Sequence, residues 1–191
     1  MDKKAGSIEI VCGPMFAGKT EELIRRIRRL DYAKKKYLVF KPSIDKRYSN
    51  ESEIVSHNLR TCQAILIDSS SEIEKYITSS INAVIIDEAQ FFDDGLIKVV
   101  DNLADLGIRV IVGGLDRNFR GQPFGPMGNL LAIAENVTKL TAICVVCGEP
   151  ATRTQRIING KPALENDPLI LVAAKESYEP RCRCHHEVPS K

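Results

Sequence analysis

The chain has 191 residues, of which 43% are hydrophobic and 27% charged, and its formal net charge is +2 at pH 7. This composition excludes a disordered chain, and the nearly balanced charge disfavours a dedicated nucleic-acid binder, since such proteins carry a basic excess. No apolar run approaches the roughly 18 residues of a membrane span, and no signal-peptide pattern follows Met1. We expect a soluble, cytoplasmic protein.

Short β-branched runs alternate with helical patterns over roughly the first three quarters of the chain. This alternation predicts βαβ units and an α/β fold with a mainly parallel sheet. Helices are predicted from near Lys19 onward, over 71–79 and over 96–106. Strands are predicted at 8–12, 37–40, 64–67, Ala83–Ile86, 108–112 and near 138–143.

The composition of the stretch 113–126 differs from that of the preceding strands and helices. It is dense in turn residues but contains two phenylalanines and two arginines. A loop of this length within a compact domain is more often functional than a plain connection. We expect stretch 113–126 to have a functional role.

A phosphate-binding pattern, G-x-x-x-x-G-K-[ST], follows the first predicted strand and opens the first predicted helix. Its glycines let successive backbone N–H groups point into one concavity, and the helix adds the positive end of its dipole. Lys19 is expected to contact the β- and γ-phosphates, and the Thr20 hydroxyl to bind Mg²⁺. The predicted phosphate-binding residues are Gly13, Pro14, Met15, Phe16, Ala17, Gly18, Lys19 and Thr20.

Two acidic residues, Asp87 and Glu88, follow the buried strand Ala83–Ile86. Ligands bind at the carboxyl edge of a parallel sheet, so Asp87 is placed to hold Mg²⁺ and Glu88 to accept a proton from a nucleophile. Without the phosphate loop, a solvated acidic pair would be the preferred interpretation. Asp45 and Arg47 follow the second predicted strand, and we expect them at the same edge, near the phosphates.

The polar face of the first predicted helix carries four arginines: Arg25, Arg26, Arg28 and Arg29. Such a cluster resembles a nucleic-acid-binding patch. It lies opposite the apolar stripe of the helix, and acidic residues occur beside it, which favours a solvated helix face.

Four of the six cysteines fall in the last quarter of the chain, in two close groups. Cys144 and Cys147 form one knuckle, and Cys182 and His185 form a second with the same spacing. Two such turns supply the four nitrogen and sulfur ligands that Zn²⁺ requires, and Cys184 and His186 are within reach of the same site. Cys12 and Cys62 are interpreted as small apolar core residues. We expect a nucleotide-binding domain over 1–142 and a zinc domain over 143–191.

Five motifs in this order resemble type II thymidine kinases: the phosphate loop, Asp45-x-Arg47-Tyr48, the segment 87–92, the segment 119–124 and the two knuckles. The resemblance runs from about Gly6 to His186. It implies a RecA-like domain that binds ATP and a zinc-ribbon domain with a lasso-like loop that closes over the nucleoside. The implied reaction is transfer of the γ-phosphoryl group of ATP to the 5′-hydroxyl of thymidine.

The resemblance also implies roles for individual residues. Glu88 would deprotonate the thymidine 5′-hydroxyl, while Asp45, Arg47, Asp87 and Gln90 would surround the phosphates and Mg²⁺. The residues implied around thymine are Met15, Phe91, Leu115 and Phe119. Those implied in the closing loop are Leu169, Ile170, Leu171, Val172, Ala173 and Tyr178. The stretch 172–174 stands where the family commonly has a glycine-rich stretch.

The family further implies a homotetramer that is inhibited by its end product, thymidine triphosphate (dTTP). Backbone groups of the closing loop are expected to pair with the thymine edge, so that deoxyuridine is accepted and deoxycytidine is not. No stable nucleic-acid or membrane partner is expected.

Two other functions remain open at this point. The segment Asp87-Glu88-Ala89-Gln90 also resembles helicase signatures, and zinc ribbons often contact nucleic acid, which suggests a nucleic-acid-stimulated ATPase. The small net charge and the absence of a second ATPase domain argue against it. The third candidate, a non-catalytic nucleotide-binding assembly module, is disfavoured by the presence of Glu88 beside Asp87.

Overall fold

The computed structural model describes residues 6–43, 64–169 and 176–190. Its main sheet contains six strands, all paired in parallel, which confirms the predicted α/β class. In spatial order β3-β2-β4-β5-β1-β6, the strands are β1 (Ser7–Cys12), β2 (Tyr37–Pro42), β3 (Ile65–Ile67), β4 (Ala83–Ile86), β5 (Arg109–Gly114) and β6 (Asn136–Lys139).

Helices cover both faces of this sheet. They are α1 (Lys19–Tyr32), α2 (Gly95–Asp105) and α3 (Met127–Ile133), with the 3₁₀ helices η1 (Ser70–Tyr76) and η2 (Ala89–Phe91). The predicted apolar stripe of α1 packs on one face, together with Val11 of β1. Ile8 and Ile10 of β1 point to the opposite face and pack in the same cluster as α2. This alternation is typical of a parallel strand that is buried on both sides.

The prediction of a single strand near 138–143 is wrong. Asn136–Lys139 pairs with β1, whereas Ala142–Ile143 forms β7, which pairs with β8 (Pro150–Ala151) outside the main sheet. The break follows from the end of β1: the Leu140 N–H donates to the Cys12 carbonyl oxygen at 2.8 Å, and beyond that point β1 has turned into the phosphate loop.

One predicted helix differs from the structure, and one observed helix was not predicted. The stretch 71–79 is helical only over Ser70–Tyr76, as a 3₁₀ helix, and Ile77 is already extended. The helix α3 was missed, although Met127, Leu130 and Leu131 have helical spacing directly after Pro126. Its seven residues gave a weak periodic signal.

The four arginines of α1 do not share one environment. Arg25, Arg28 and Arg29 are exposed, as predicted, but Arg26 is only 7% exposed. Its guanidinium lies 2.7 Å from the carboxylate of Glu9 and 2.7 Å from the hydroxyl of Thr138. A solvated face is therefore the wrong interpretation for Arg26, because strands β1 and β6 supply partly buried acceptors beneath the helix.

The C-terminal part contains a small antiparallel sheet. Its central strand β9 (Arg153–Ile158) lies between β10 (Lys161–Pro162) and β11 (Glu176–Arg181). Thr154 of β9 accepts a hydrogen bond from the backbone N–H of Met15 at 3.0 Å. This bond connects the small sheet directly to the phosphate loop.

Candidate active site

The carboxyl ends of three adjacent strands bring the predicted catalytic groups to one edge of the main sheet. The phosphate loop follows β1, Asp87 and Glu88 follow β4, and Leu115 follows β5, which lies between β4 and β1. Parallel strands with this arrangement create a ligand crevice at their carboxyl ends. The topology thus confirms that these segments share the predicted edge.

The phosphate loop has the backbone conformation that its glycines permit. Gly18 is left-handed with φ of 82°, and a Cβ on Gly13 would lie 2.5 Å from the carbonyl oxygen of Leu140. Phe16 also adopts a positive φ, of 64°, which is uncommon for a residue with a side chain. The Lys19 ammonium donates to the carbonyl oxygen of Pro14 at 2.8 Å, so the lysine side chain folds back along the loop.

Three carboxylates lie within electrostatic range of this lysine. Burial lowers the pKa of Lys19, and the negative charges of Glu88, Asp87 and Asp116 oppose that shift. These negative charges favour the charged form of the lysine. The structure therefore brings Lys19, Asp87 and Glu88 together, as their motifs predicted.

Asp87 is held on both of its carboxylate oxygens. The Lys41 ammonium lies 3.1 Å from Oδ2, and the backbone N–H of Glu88 donates to Oδ1 at 2.9 Å. Both the Asp87 side chain and the Lys41 side chain are largely buried. These contacts orient the carboxylate at the sheet edge.

The backbone of Glu88 is left-handed, with φ of 54° and ψ of 39°. A non-glycine residue in this region costs of order 1–3 kcal/mol and is found most often at functional sites. Gln90 donates a hydrogen bond from its amide to Glu88 Oε2, and its own carbonyl oxygen accepts the Leu115 N–H at 2.9 Å. Gln90 is 3% exposed, so this amide forms a buried link between Glu88 and the loop after β5.

Two guanidinium groups lie near the ring of Phe119. Arg120 and Arg156 approach the ring centroid at 5.0 Å and 5.3 Å, distances typical of cation–π pairs. Arg120 also donates to the carbonyl oxygens of Glu165 and Asp167 at 2.6 and 2.7 Å. Arg156 donates to that of Pro168 at 2.6 Å. The two arginines therefore attach the segment 165–168, which leads into the predicted closing loop, to the Phe119 loop.

The remaining described residues of the predicted thymine pocket and closing loop have varied surroundings. The Phe91 ring packs edge-on against Phe124 with centroids 5.5 Å apart. Leu169 is 40% exposed, and Tyr178 lies on β11 opposite Arg156. A common thymine pocket formed by these side chains stays a prediction.

Several predicted site residues lie outside the described part of the chain. They are Asp45, Arg47, Ile170, Leu171, Val172 and Ala173. Their roles stay predictions.

The two knuckles converge on one point, as the spacing predicted. The ligand atoms of Cys144, Cys147, Cys182 and His185 all lie within 4.8 Å of one another. Cys147 Sγ is 3.8 Å from Cys182 Sγ, close to the separation of about 3.8 Å that tetrahedral zinc with Zn–S bonds of about 2.3 Å requires. The donor set thus fits a closed zinc site.

The environment of Cys144 favours a metal-binding thiolate. Burial acts to raise the pKa of its thiol, but backbone hydrogen bonds from Cys182, Val146 and Cys147 outweigh burial and lower the pKa to about 6. Zinc binds the thiolate form, so this shift favours metal binding. His186 instead contacts the Phe119 carbonyl oxygen at 2.8 Å, and Cys184 is exposed.

The family model described as Thymidine kinase matches residues 6–186. The chain belongs to the thymidine kinase family. One relative, a thymidine kinase of Onion yellows phytoplasma (strain OY-M), is 59% identical over 181 residues, which cover 95% of this chain and 87% of that protein. These comparisons confirm the resemblance that the five motifs carried.

The sequence analysis assigned no role to three charged residues near the candidate site of this thymidine kinase family member: Arg120, Arg156 and Asp116. Arg156 is fully buried and Asp116 is 5% exposed. Arg120 lies within a motif that was recognised, whereas no local pattern marks Arg156. Asp116 directly follows Leu115 after a buried strand, the same signal that identified Asp87, and could have been found by that rule.

Within residues 6–43, 64–169 and 176–190, no helix has the length and apolar character needed to cross a membrane.

Proposed function

We propose that this chain is an ATP-dependent thymidine kinase that produces thymidine monophosphate. The observation that carries the proposal is that the phosphate loop with Lys19 follows β1, and Asp87 and Glu88 follow β4, at the same edge of the parallel sheet. A phosphate-binding cation and a candidate base at one sheet edge are two of the recurring parts of enzymes that transfer a phosphoryl group to an alcohol. Membership of the thymidine kinase family supports the choice of nucleoside.

ATP would lie with its phosphates in the loop formed by residues 13–20. The loop N–H groups and the start of α1 supply positive potential, and Lys19 would contact the β- and γ-phosphates. Magnesium, which neutralises phosphate charge when bound, would be held by the oxygens of Thr20 and Asp87, a donor set that fits this cation. Asp45, Arg47 and Gln90 would complete the surroundings of the phosphates.

Glu88 would act as the general base. It would take the proton of the thymidine 5′-hydroxyl as that oxygen bonds to the γ-phosphorus and the bond from phosphorus to the leaving oxygen of ADP breaks. The Gln90 amide holds the Glu88 carboxylate in one orientation. General-base catalysis of this kind contributes about 10²–10⁴-fold to the rate.

Thymine would be recognised by shape and by backbone groups. Met15, Phe91, Leu115 and Phe119 would form the apolar surroundings, and Tyr178 would lie near the closing loop. Peptide groups of 169–173 would pair with O4, N3–H and O2 of the base. Cytosine would place like partners opposite these groups, so discrimination can reach about 10⁴–10⁵-fold, while deoxyuridine would be accepted.

Zinc would have a structural role. All four ligands come from the protein, which leaves no open position for water or substrate. Bound zinc would fix the base of the segment 148–181, which contains the closing loop. This arrangement supports a division into a nucleotide-binding domain, 1–142, and a zinc domain, 143–191.

The family resemblance supports a cytoplasmic homotetramer that is inhibited by dTTP. On the same resemblance, we expect no stable nucleic-acid or membrane partner.

The proposed function is tested by measuring ATP turnover with thymidine, with single-stranded DNA and with neither. We expect turnover with thymidine only, accompanied by formation of thymidine monophosphate. Turnover that requires DNA would replace this proposal with a nucleic-acid-stimulated ATPase.

A further inference from the structure

An ion pair with one deeply buried partner crosses the start of the phosphate loop. Strand β1 runs between β5 and β6, and its last residue, Cys12, pairs with Gly114 on one side and Lys139 on the other. Asp116 lies just beyond the end of β5, and the Lys139 ammonium is 2.8 Å from its Oδ2. The pair therefore joins the two strands that flank β1 where β1 turns into the phosphate loop.

The two partners of this pair differ in burial. The Asp116 side chain is 4% exposed, whereas that of Lys139 is 45% exposed. Arg117 is a second, more distant cation, with its Nε 3.8 Å from the same carboxylate oxygen. A carboxylate this deeply buried requires a cationic partner, because desolvation makes an unpaired charge costly.

The same carboxylate acts on the phosphate loop. Burial first, and then the charge of Asp116, raise the pKa of Cys12 to about 11. Asp116 also opposes the lowering of the Lys19 pKa, so it attracts the Lys19 cation. The lysine stem is flexible and its ammonium is a compact charge, so Lys19 could turn from the loop toward an unpaired Asp116.

We propose that Lys139 is a positioning residue for ATP binding: by pairing with Asp116, it prevents this buried carboxylate from drawing Lys19 away from the triphosphate. The proposal rests on the proposed function, since it requires ATP at the phosphate loop. Lys139 would act through Asp116 and Lys19 without touching either substrate.

Removing the two charges of the pair, first one and then both, gives a test in which the second substitution compensates for the first. Lys139→Met leaves Asp116 without its main partner, and we expect the ATP dissociation constant and the KM for ATP to rise about tenfold, with the KM for thymidine changed by less than about twofold. Adding Asp116→Asn to this variant removes the competing charge and should restore ATP affinity to within about threefold of the wild type. Lys139→Arg keeps the cation and should bind ATP nearly as the wild type does.

Asp116→Asn alone provides an independent test that does not depend on the folding of Lys139→Met. Removal of the carboxylate frees Lys19, so ATP affinity should be unchanged or higher. If the Asp116–Lys139 pair only stabilised the fold, ATP affinity would fall in Asp116→Asn. It would fall further in the double variant. Calorimetric binding of ATP, measured beside the kinetics, separates ATP affinity from the chemical step.

Arg109→Gln is the matched control, because Arg109 of β5 pairs with Glu9 of the neighbouring strand β1 at 2.6 Å, away from the phosphate loop. It should lower the melting temperature but change ATP affinity by less than about twofold. Unchanged ATP affinity in Lys139→Met, or weakened affinity in Asp116→Asn, would overturn the inference. An inactive wild-type protein would overturn the proposed function instead, so the two failures are distinguishable.

Discussion

The amide of Gln90 donates a hydrogen bond to the carboxylate of Glu88. The other end of the same amide accepts the N–H of Leu115 at 2.9 Å. One buried side chain thus connects the candidate base, at the end of β4, with the loop that follows β5. We therefore expect the position of that loop to influence the orientation of Glu88.

This link predicts that Gln90→Ala lowers kcat more than it changes the KM for either substrate. We expect a loss of about 10- to 100-fold in kcat, the size of one hydrogen bond to a charged group. Steady-state kinetics with thymidine and ATP varied in turn provide the measurement. A rise in KM for ATP with kcat retained would show that Gln90 acts through the phosphates and does not orient Glu88.

The zinc site predicts a specific difference between two cysteines. Cys147→Ser should lose the metal, lower the melting temperature and raise the KM for thymidine more than that for ATP, because zinc would hold the segment that carries the closing loop. Cys184→Ser is the matched control, since this exposed thiol is adjacent to the knuckle but outside the ligand set. Metal analysis should find about one zinc per chain in the control and in the wild type. Substantially less in carefully purified wild-type protein would contradict the assignment.

Arg120 predicts a defect in nucleoside binding. Arg120→Ala removes the two hydrogen bonds that hold the carbonyl groups of Glu165 and Asp167, so the segment before the closing loop should loosen. We expect the KM for thymidine to rise about three- to tenfold, with ATP binding retained. The exposed Arg28 on α1 provides the control, and Arg28→Ala should match the wild type. Equal loss of ATP affinity in Arg120→Ala would argue against this role.

Cys12 predicts a pH-dependent contribution to stability. Burial and then the charge of Asp116 raise its pKa from 9.0 to about 11, which favours the neutral thiol in the folded state. This contribution to the free energy of unfolding is therefore complete below pH 9.0 and is lost as the pH rises toward about 11. Urea unfolding at several pH values measures the free energy of unfolding of the wild type and of Cys12→Ala. The difference between these two free energies should change across this pH window. A difference that is constant with pH would contradict the shift.

Local patterns were sufficient for the parts of the fold that depend on neighbouring residues. The spacing of Leu23, Ile27 and Leu30 predicted both α1 and its buried face. The apolar run Ala83–Ile86 predicted a strand buried on both sides. The phosphate loop and the zinc knuckles each have a fixed residue spacing that is typical of one kind of ligand. Their residues and the proposed roles of those residues were therefore predicted together.

Features that depend on partners far apart in sequence were not predicted. Arg26 is buried because its acceptors, Glu9 and Thr138, come from strands 17 and 112 residues away. The Asp116–Lys139 pair likewise requires knowledge that β5 and β6 lie on either side of β1. Periodicity describes one element at a time, whereas these contacts depend on strand order.

The most direct test of the account is the effect of Glu88→Gln on thymidine phosphorylation. The substitution keeps the shape of the side chain but removes the proton acceptor. We predict that kcat falls by about 10²–10⁴-fold while the dissociation constant for ATP, measured by calorimetry on the same preparation, changes by a small factor only. Wild-type kcat in this variant would contradict the assignment of Glu88 as the base and, with it, the proposed mechanism.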